Sequence, residues 1–343
     1  MEKDPRVAII IWDIGQIGGI ATHAEETKNI LDSFGVKNDI VILTDKKRAF
    51  KVEKFKIEAK DKMFKVKGIE LSVDLTNLRK TLGFLDRRYD ILFHTTACIH
   101  NDRSGWLGVY FLGKKQIVTI SDVYFDKFYP YYKKALKYVD KMYSTNQAVK
   151  NYLDGKGIKN ELILHPFIFD KNFKKTETKK TIIWANQWRG WKGIKLFITE
   201  LSKIKAQGIL FGCGREYYNL YDKLPENSEY LGFRTPKELK EEYKKGMFAV
   251  DLTGQSKKYY GHYNRSTIEP MFYKCVVVAN EKIIYPYSHI PREVVLAVNK
   301  HNLVEKVNEL INDQEKWRQL SERAFKWAIE YYDNEKVLKQ ITS

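Results

Sequence analysis

Short apolar runs alternate with amphipathic stretches along the whole chain. RVAIIIWD, DIVILTD, DILFHTT, QIVTISD and MYSTN are short and rich in apolar or β-favouring residues, which predicts strands buried in a parallel sheet. HAEETKNILDSFG and YPYYKKALKYVDK place apolar residues at helical spacing and predict helices. KFKIEAKDKMFKVKGIELSVDL predicts a short β insertion, followed by a helix over TNLRKTLGFLD. ELILHPFIF predicts one more strand, ending a first domain over residues 1–168.

DKNFKKTETKK is polar, charged and free of apolar periodicity, so residues 169–180 are expected to be an interdomain linker. TIIWAN then opens a second series. It continues through GIKLFITELSKIKA (helix), GILFGCG (strand), REYYNLYDKL (helix), SEYLGFR (strand), TPKELKEEYKKG (helix) and MFAVDLT (strand). Thr235, with Pro236 at the first helical position and Glu238 three residues after Thr235, predicts a capping box. A helix carrying Glu269, the strand KCVVVAN and two terminal helices complete a second domain over residues 181–326, and residues 327–343 are expected to form a terminal helix. This order of strands and helices predicts an α/β protein with two parallel sheets and crossover helices.

Length and composition agree with two domains of ordinary size: 343 residues, 43% hydrophobic. No stretch of about 18 uncharged apolar residues occurs, so neither a transmembrane helix nor stable membrane insertion is expected. MEKDPRVAIIIWDIG lacks the features of a cleavable signal. Cys98, Cys213 and Cys275 show no metal spacing and read as buried small hydrophobes, which makes a reducing, cytoplasmic setting the default. The net charge is +17, and residues 101–200 hold 19 Lys and Arg against 9 Asp and Glu. Such a field attracts polyanions: nucleic acid, an acidic membrane or an anionic polysaccharide. The alternative is a lysine-rich surface with no polyanionic partner. The sequence carries no signal for oligomeric state.

Three loops carry the candidate chemistry. Gly15, Gly18 and Gly19 lie between a strand and a helix, where glycines let the backbone approach an anion; a tight turn without ligand is the competing reading. The spacing departs from the dinucleotide fingerprint. In QWRGWKG, Arg189 suits a bidentate grip on a diphosphate and Lys192 a point charge beside it, against the reading of a solvated basic turn. In YGHYNRSTIEPM, the residues Asn264, Arg265, Ser266 and Thr267 open the helix of Glu269, with His262 just before them. A carboxylate such as Glu269 is a two-oxygen acceptor suited to a vicinal diol. His94, Asp122 and Asn146 end strands of the first domain, where open α/β sheets bind ligands. Asp122 suits orienting an acceptor hydroxyl or taking its proton, or else a helix N-cap. No metal-ligand spacing occurs among the histidines.

The order and spacing of these loops resemble the GT-B-fold retaining glycosyltransferases, two Rossmann-like domains facing a cleft. The resemblance implies a UDP-sugar as donor substrate, no tightly bound cofactor and no essential metal. It implies donor binding by Gly18, Gly19, Arg189, Lys192, His262, Arg265, Ser266, Thr267 and Glu269, with the glycine loop facing the donor sugar. It makes Glu269 the ligand of the ribose hydroxyls and Arg189 and Lys192 the neutralisers of the leaving diphosphate. It also implies that the terminal helix crosses back to the first domain. Two departures stand out. Arg189 and Lys192 are three apart where the family has about five, and Gly261 stands where the family has a second glutamate.

GGIATHAEE, TISDVYF, WKGIKLF, EYLGFRTPKEL and STIEPMFYKCVVVAN further resemble the phage DNA α-glucosyltransferases, which act on 5-hydroxymethylcytosine in DNA. That likeness implies Asp122 as a catalytic residue, His94, Asp122 and Asn146 on the acceptor side, and double-stranded DNA against residues 101–200. It places a phage-encoded enzyme in the host cytoplasm. Two alternatives stand: a transferase acting on a cell-surface glycan or lipid-linked sugar, and a non-catalytic nucleic-acid-binding protein on the same scaffold.

Overall fold

The apolar runs form two parallel sheets. The structure, a computed structural model, describes residues 5–13, 19–44, 68–72, 78–95, 114–120, 139–212, 214, 216–254, 264–284 and 288–343. The chain divides into two units. Met1–Thr145, Val149–Ile168 and Tyr332–Ser343 form the first, and Asn146–Ala148 and Phe169–Tyr331 the second.

The first unit contains β1 (Val7–Asp13), α1 (Gly19–Ser33), β2 (Asn38–Thr44), β3 (Ile69–Ser72), α2 (Leu78–Arg88), β4 (Ile91–His94), β5 (Lys115–Ile120) and β6 (Lys141–Ser144). α3 (Gln147–Asp154), at the boundary, and β7 (Glu161–Leu162) follow. The sheet order is β3-β2-β1-β4-β5-β6-β7, and every pairing is parallel. Of the expected β insertion, Ile69–Ser72 joins the main sheet as a parallel edge strand; residues 45–67 lie outside the described residues. The helix expected over YPYYKKALKYVDK also lies outside them, apart from its last residues. ELILHPFIF is strand only at Glu161–Leu162.

The second unit contains β8 (Lys179–Trp184), α4 (Ile194–Leu201), β9 (Gln207–Leu210), α5 (Tyr217–Leu220), β10 (Ser228–Tyr230), α6 (Pro236–Lys245) and β11 (Gly246–Asp251). α7 (Arg265–Ile268), β12 (Val276–Asn280), α8 (Glu281–Ile284), β13 (Leu296–Val298), α9 (Leu303–Asn312) and α10 (Gln314–Tyr331) complete it. Its sheet runs β10-β9-β8-β11-β12-β13, again all parallel. β11 and β12 are buried along their length, and Trp184, Phe197, Phe248, Val276 and Val307 belong to one core. α6 starts at the expected capping box: Thr235 Oγ1 accepts from Glu238 N, and Glu238 Oε2 accepts from Thr235 N at 2.8 Å.

Two readings of the chain change. Residues 327–331 finish α10, and a separate helix α11 (Asn334–Thr342) follows, in place of one terminal helix over 327–343. Asp333 interrupts the helix because its side chain caps the next one, accepting from Glu335 N at 3.0 Å. α11 belongs to the first unit, where Val337 and Ile341 join the core of β1 and β2 and Gln340 Nε2 donates to Leu162 O. The expected linker is docked on the second unit. Lys175 Nζ donates to the carbonyls of Gly246 (2.6 Å), Tyr273 (3.0 Å) and Tyr243 (3.1 Å), while Phe169 stacks on Phe272. The pattern hid this because the attachment is a half-buried ammonium on backbone carbonyls and one aromatic stack, not a periodic apolar stripe. Burial pushes the Lys175 ammonium below its ordinary value, against an opposing pull from Cys275.

Candidate active site

In a parallel sheet, ligands meet the loops at the carboxyl ends of the strands, where the strand order reverses. In the second sheet the reversal lies between β8 and β11. The loop after β8 carries Arg189 and Lys192, and the segment after β11 leads to Asn264 and Glu269. The topology therefore brings together two of the loops that the sequence singles out.

Tryptophans anchor the β8 loop. Trp184 Nε1 donates to Asn186 O and Trp188 Nε1 to Phe211 O, both at 3.1 Å. The chain tightens into a 3-10 turn over Gly190–Lys192 and reverses at Gly193, whose φ is +87°. A Cβ at Gly193 would lie 2.6 Å from Leu252 Cβ and 2.7 Å from Leu252 O, so only glycine lets the loop approach the end of β11 this closely. That approach seats Lys192, which is buried at 6% exposure. Its Nζ donates to Asn264 Oδ1 and lies 4.3 Å from the Trp191 ring centroid. Arg189, on the same turn, is exposed. One turn thus presents a buried cation and an exposed one.

Across the switch point, α7 is a single helical turn. Pro270 has no N–H to continue the helical ladder, so the chain tightens into a 3-10 turn over Glu269–Tyr273. The helix expected around Glu269 is therefore two short pieces. Glu269 is buried at 5% exposure, and its Oε1 lies 3.4 Å from Arg265 Nη2 and 3.9 Å from Lys240 Nζ. The hydroxyls of Ser266 and Thr267 turn inward to the Asp251 carboxylate. Lys192, Arg265, Ser266, Thr267 and Glu269 are thus carried by the segments that follow β8 and β11, the middle strands of the second sheet.

In the first sheet the order reverses between β1 and β4. His94 ends β4 there, buried, with Nε2 3.0 Å from Gln116 Oε1 on β5. Burial lowers its pKa to about 4, so the ring is neutral at ordinary pH. Asn146, also buried, follows β6, two strands away. Gly19 is the first residue of α1. Gly15, Gly18, Asp122, Gly261 and His262 lie outside the described residues, as does most of the basic segment between 101 and 138. Among the described residues, no group of three or more His, Cys, Asp or Glu is placed to hold a metal ion, and no helix is long and apolar enough to cross a membrane.

Two residues escaped the sequence reading. Asp251 is the one charged position in MFAVDLT, and a charge ending an apolar strand was the available signal. Lys240, half-buried, is one of four lysines in α6 and gives none.

Residues 167–327 match the model of the family Glycosyl transferases group 1. No curated protein matches the chain significantly. Among solved structures, the chain is similar to an alpha-glucosyltransferase in complex with UDP and a 13-mer DNA containing an HMU base. The TM-score is 0.71 at 13% identity, over 99% of this chain and 100% of that one. It is also similar to Anabaena Alr3699/HepE in complex with UDP and glucose, with a TM-score of 0.70 at 13% identity over 98% of both chains. An alpha-glucosyltransferase in complex with UDP-glucose and DNA containing an abasic site gives 0.69 at 13%, over 98% of both. At these identities the likeness is one of fold. The architecture is GT-B, with two parallel α/β sheets. The match over residues 167–327 and this architecture agree on the glycosyltransferase class.

Proposed function

We propose that this enzyme transfers a sugar from a UDP-sugar to the hydroxymethyl group of a modified pyrimidine in double-stranded DNA, 5-hydroxymethylcytosine first, with retention at the anomeric carbon. The observation that carries this reading is the whole-chain likeness to an alpha-glucosyltransferase holding both UDP and HMU-containing DNA. The net charge of +17 supports a polyanionic acceptor.

In the reaction the bond from the anomeric carbon to the β-phosphate oxygen breaks, and the acceptor hydroxyl oxygen bonds to that carbon. The hydroxyl proton passes to the departing diphosphate. Lys192 meets the charge that grows on the leaving phosphate, with Arg189 as the second cation. Glu269, its charge compensated by Arg265 and Lys240, takes the ribose hydroxyls. Gly18, Gly19, His262, Ser266 and Thr267 complete the donor side. Asp122 orients the acceptor hydroxyl, His94 and Asn146 belong to the acceptor side, and a base in a duplex is flipped out to reach it.

Glu269→Gln is expected to weaken UDP binding about 10- to 150-fold, the loss of one charge-assisted bond of about 1.5–3 kcal/mol, and to leave duplex DNA binding unchanged. Calorimetry with each ligand checks this; unchanged UDP affinity removes Glu269 from the donor site.

A panel of UDP-sugars with hydroxymethylated, methylated and plain DNA, read by nucleoside mass spectrometry, tests the acceptor. Sugar is expected on the hydroxymethylated base alone, because cytosine and 5-methylcytosine offer no such hydroxyl. Binding to duplex should weaken with salt, at a log-log slope of about −0.9 per phosphate neutralised. The likeness to HepE with UDP and glucose favours a second reading, a glycan or lipid-linked sugar as acceptor. Transfer to a glycan with none to DNA would establish it.

A further inference from the structure

Asp251 ends β11 fully buried, and no step above uses it. Its Oδ1 accepts from Thr253 N (3.0 Å) and Thr253 Oγ1 (2.6 Å). Its Oδ2 accepts from Thr267 Oγ1 (2.5 Å), Asn264 Nδ2 (2.8 Å) and Ser266 Oγ (3.4 Å). Asn264 Nδ2 also donates to Thr253 Oγ1 at 2.7 Å. Both amide protons of Asn264 are therefore spent on the Asp251–Thr253 side. The amide oxygen is left facing the other way, and it accepts from Lys192 Nζ. A flipped amide would set its oxygen against the carboxylate and its NH₂ against the ammonium, acceptor on acceptor and donor on donor.

We infer that Asp251 is a positioning residue for Lys192, acting through the carboxamide of Asn264. The inference rests on the reading of Lys192 as the cation that meets the leaving diphosphate. The carboxylate imposes the amide's polarity, and the amide holds the ammonium at the switch point between β8 and β11. Neighbouring hydroxyls do not make this choice, because Ser266, Thr267 and Thr253 can each rotate to donate or accept. The amide has one donor end and one acceptor end, so its orientation is the element with two discrete states.

This polarity can be inverted by substitution. Asp251→Asn puts an NH₂ where an oxygen accepted. The hydroxyls adapt by rotation, but the Asn264 amide must flip and turn its own NH₂ toward Lys192. Adding Asn264→Asp supplies an oxygen to each side, one accepting from the new NH₂ at 251 and one from Lys192. A carboxylate that merely closes the turn before α7 gains nothing from this second change.

The test has two readouts. With a UDP-sugar, Asp251→Asn is expected to lower kcat about 100-fold, the scale of a small misplacement of a reacting group, with the donor KM little changed. The double variant Asp251→Asn with Asn264→Asp should recover most of that loss. The second readout needs no substrate: a slowly exchanging Lys192 ammonium signal in ¹⁵N NMR, assigned by its loss in Lys192→Arg. It should be present in the wild-type chain, absent in Asp251→Asn and restored in the double variant. Asn264→Ala, which breaks the relay at its other end, should also remove it. The relay is overturned if the signal persists in Asn264→Ala or Asp251→Asn, or if the folded double variant fails to restore it. Because the NMR arm uses the protein alone, absence of sugar transfer would count against the proposed function and leave the relay to be judged by the signal.

Discussion

Lys192→Ala is expected to lower the turnover of the sugar donor about 100- to 1,000-fold, the usual cost of removing one preorganised charge that faces a developing anion. The ground-state diphosphate is already charged, so some affinity is lost as well. The larger loss falls on kcat, because the charge on the bridging oxygen grows as the sugar departs. The site is built for this asymmetry. Lys192 is buried, held by Asn264 and carried on a turn that Gly193 presses against Leu252. In the proposed reaction its ammonium would need no reorganisation. Arg189, exposed on the same turn, has no such seat, and its replacement should cost less. Steady-state kinetics separate the two parameters. A variant with wild-type kcat and a raised KM would assign Lys192 to ground-state binding alone.

Acid should destabilise the first unit through His94. Its folded pKa is lowered from 6.5 to about 4 by burial, partly opposed by the hydrogen bond with Gln116. The unfolded chain therefore binds a proton at a pH where the folded chain does not. The stabilising contribution is complete above pH 6.5 and is lost as pH falls through the window down to about 4. A depression of this size corresponds to roughly 3 kcal/mol, a large part of the 5–15 kcal/mol that holds a typical domain together. His289, also lowered to about 4 by burial and stacked on Tyr331, adds to the same trend in the second unit. Denaturation midpoints at pH 7 and pH 4.5 for the wild-type chain and His94→Gln are the measurement. The wild-type chain should lose more stability than the variant across that interval. Parallel losses would show that His94 protonates in the folded state without cost. The same depression means that no activity limb near pH 6.5 should belong to His94.

Fold and site were legible to different depths. The buried strands could be read because a parallel sheet covered on both faces demands continuous apolar runs, and VAIIIW, TIIW and CVVVAN are such runs. The start of α6 could be read because a capping box is a local device, complete within Thr235 to Glu238. Glu269 and Lys192 stood out because a carboxylate suits a vicinal diol and a basic loop suits a diphosphate; that both are buried came only with the structure. By contrast, one terminal helix became two, since the choice turns on whether the Asp333 side chain caps a new helix, and periodicity is silent on that.

The amino-acid sequence by itself determined the α/β class, most strands of both sheets, though not β13, and the loops that carry the candidate chemistry, because these depend on residue type and on spacing within a few turns of chain. Only the tertiary structure decided which polar groups meet. Lys192 and Asn264 are 72 positions apart, and Asp251 joins them only because strand order reverses between β8 and β11. Lys175 is tied to carbonyls 68, 71 and 98 positions away. The physical reason is that hydrophobic burial is non-directional and leaves its mark at every position along a strand or helix. A hydrogen bond needs one donor and one acceptor at one distance and angle, and which pairs meet is settled only when the sheets have formed.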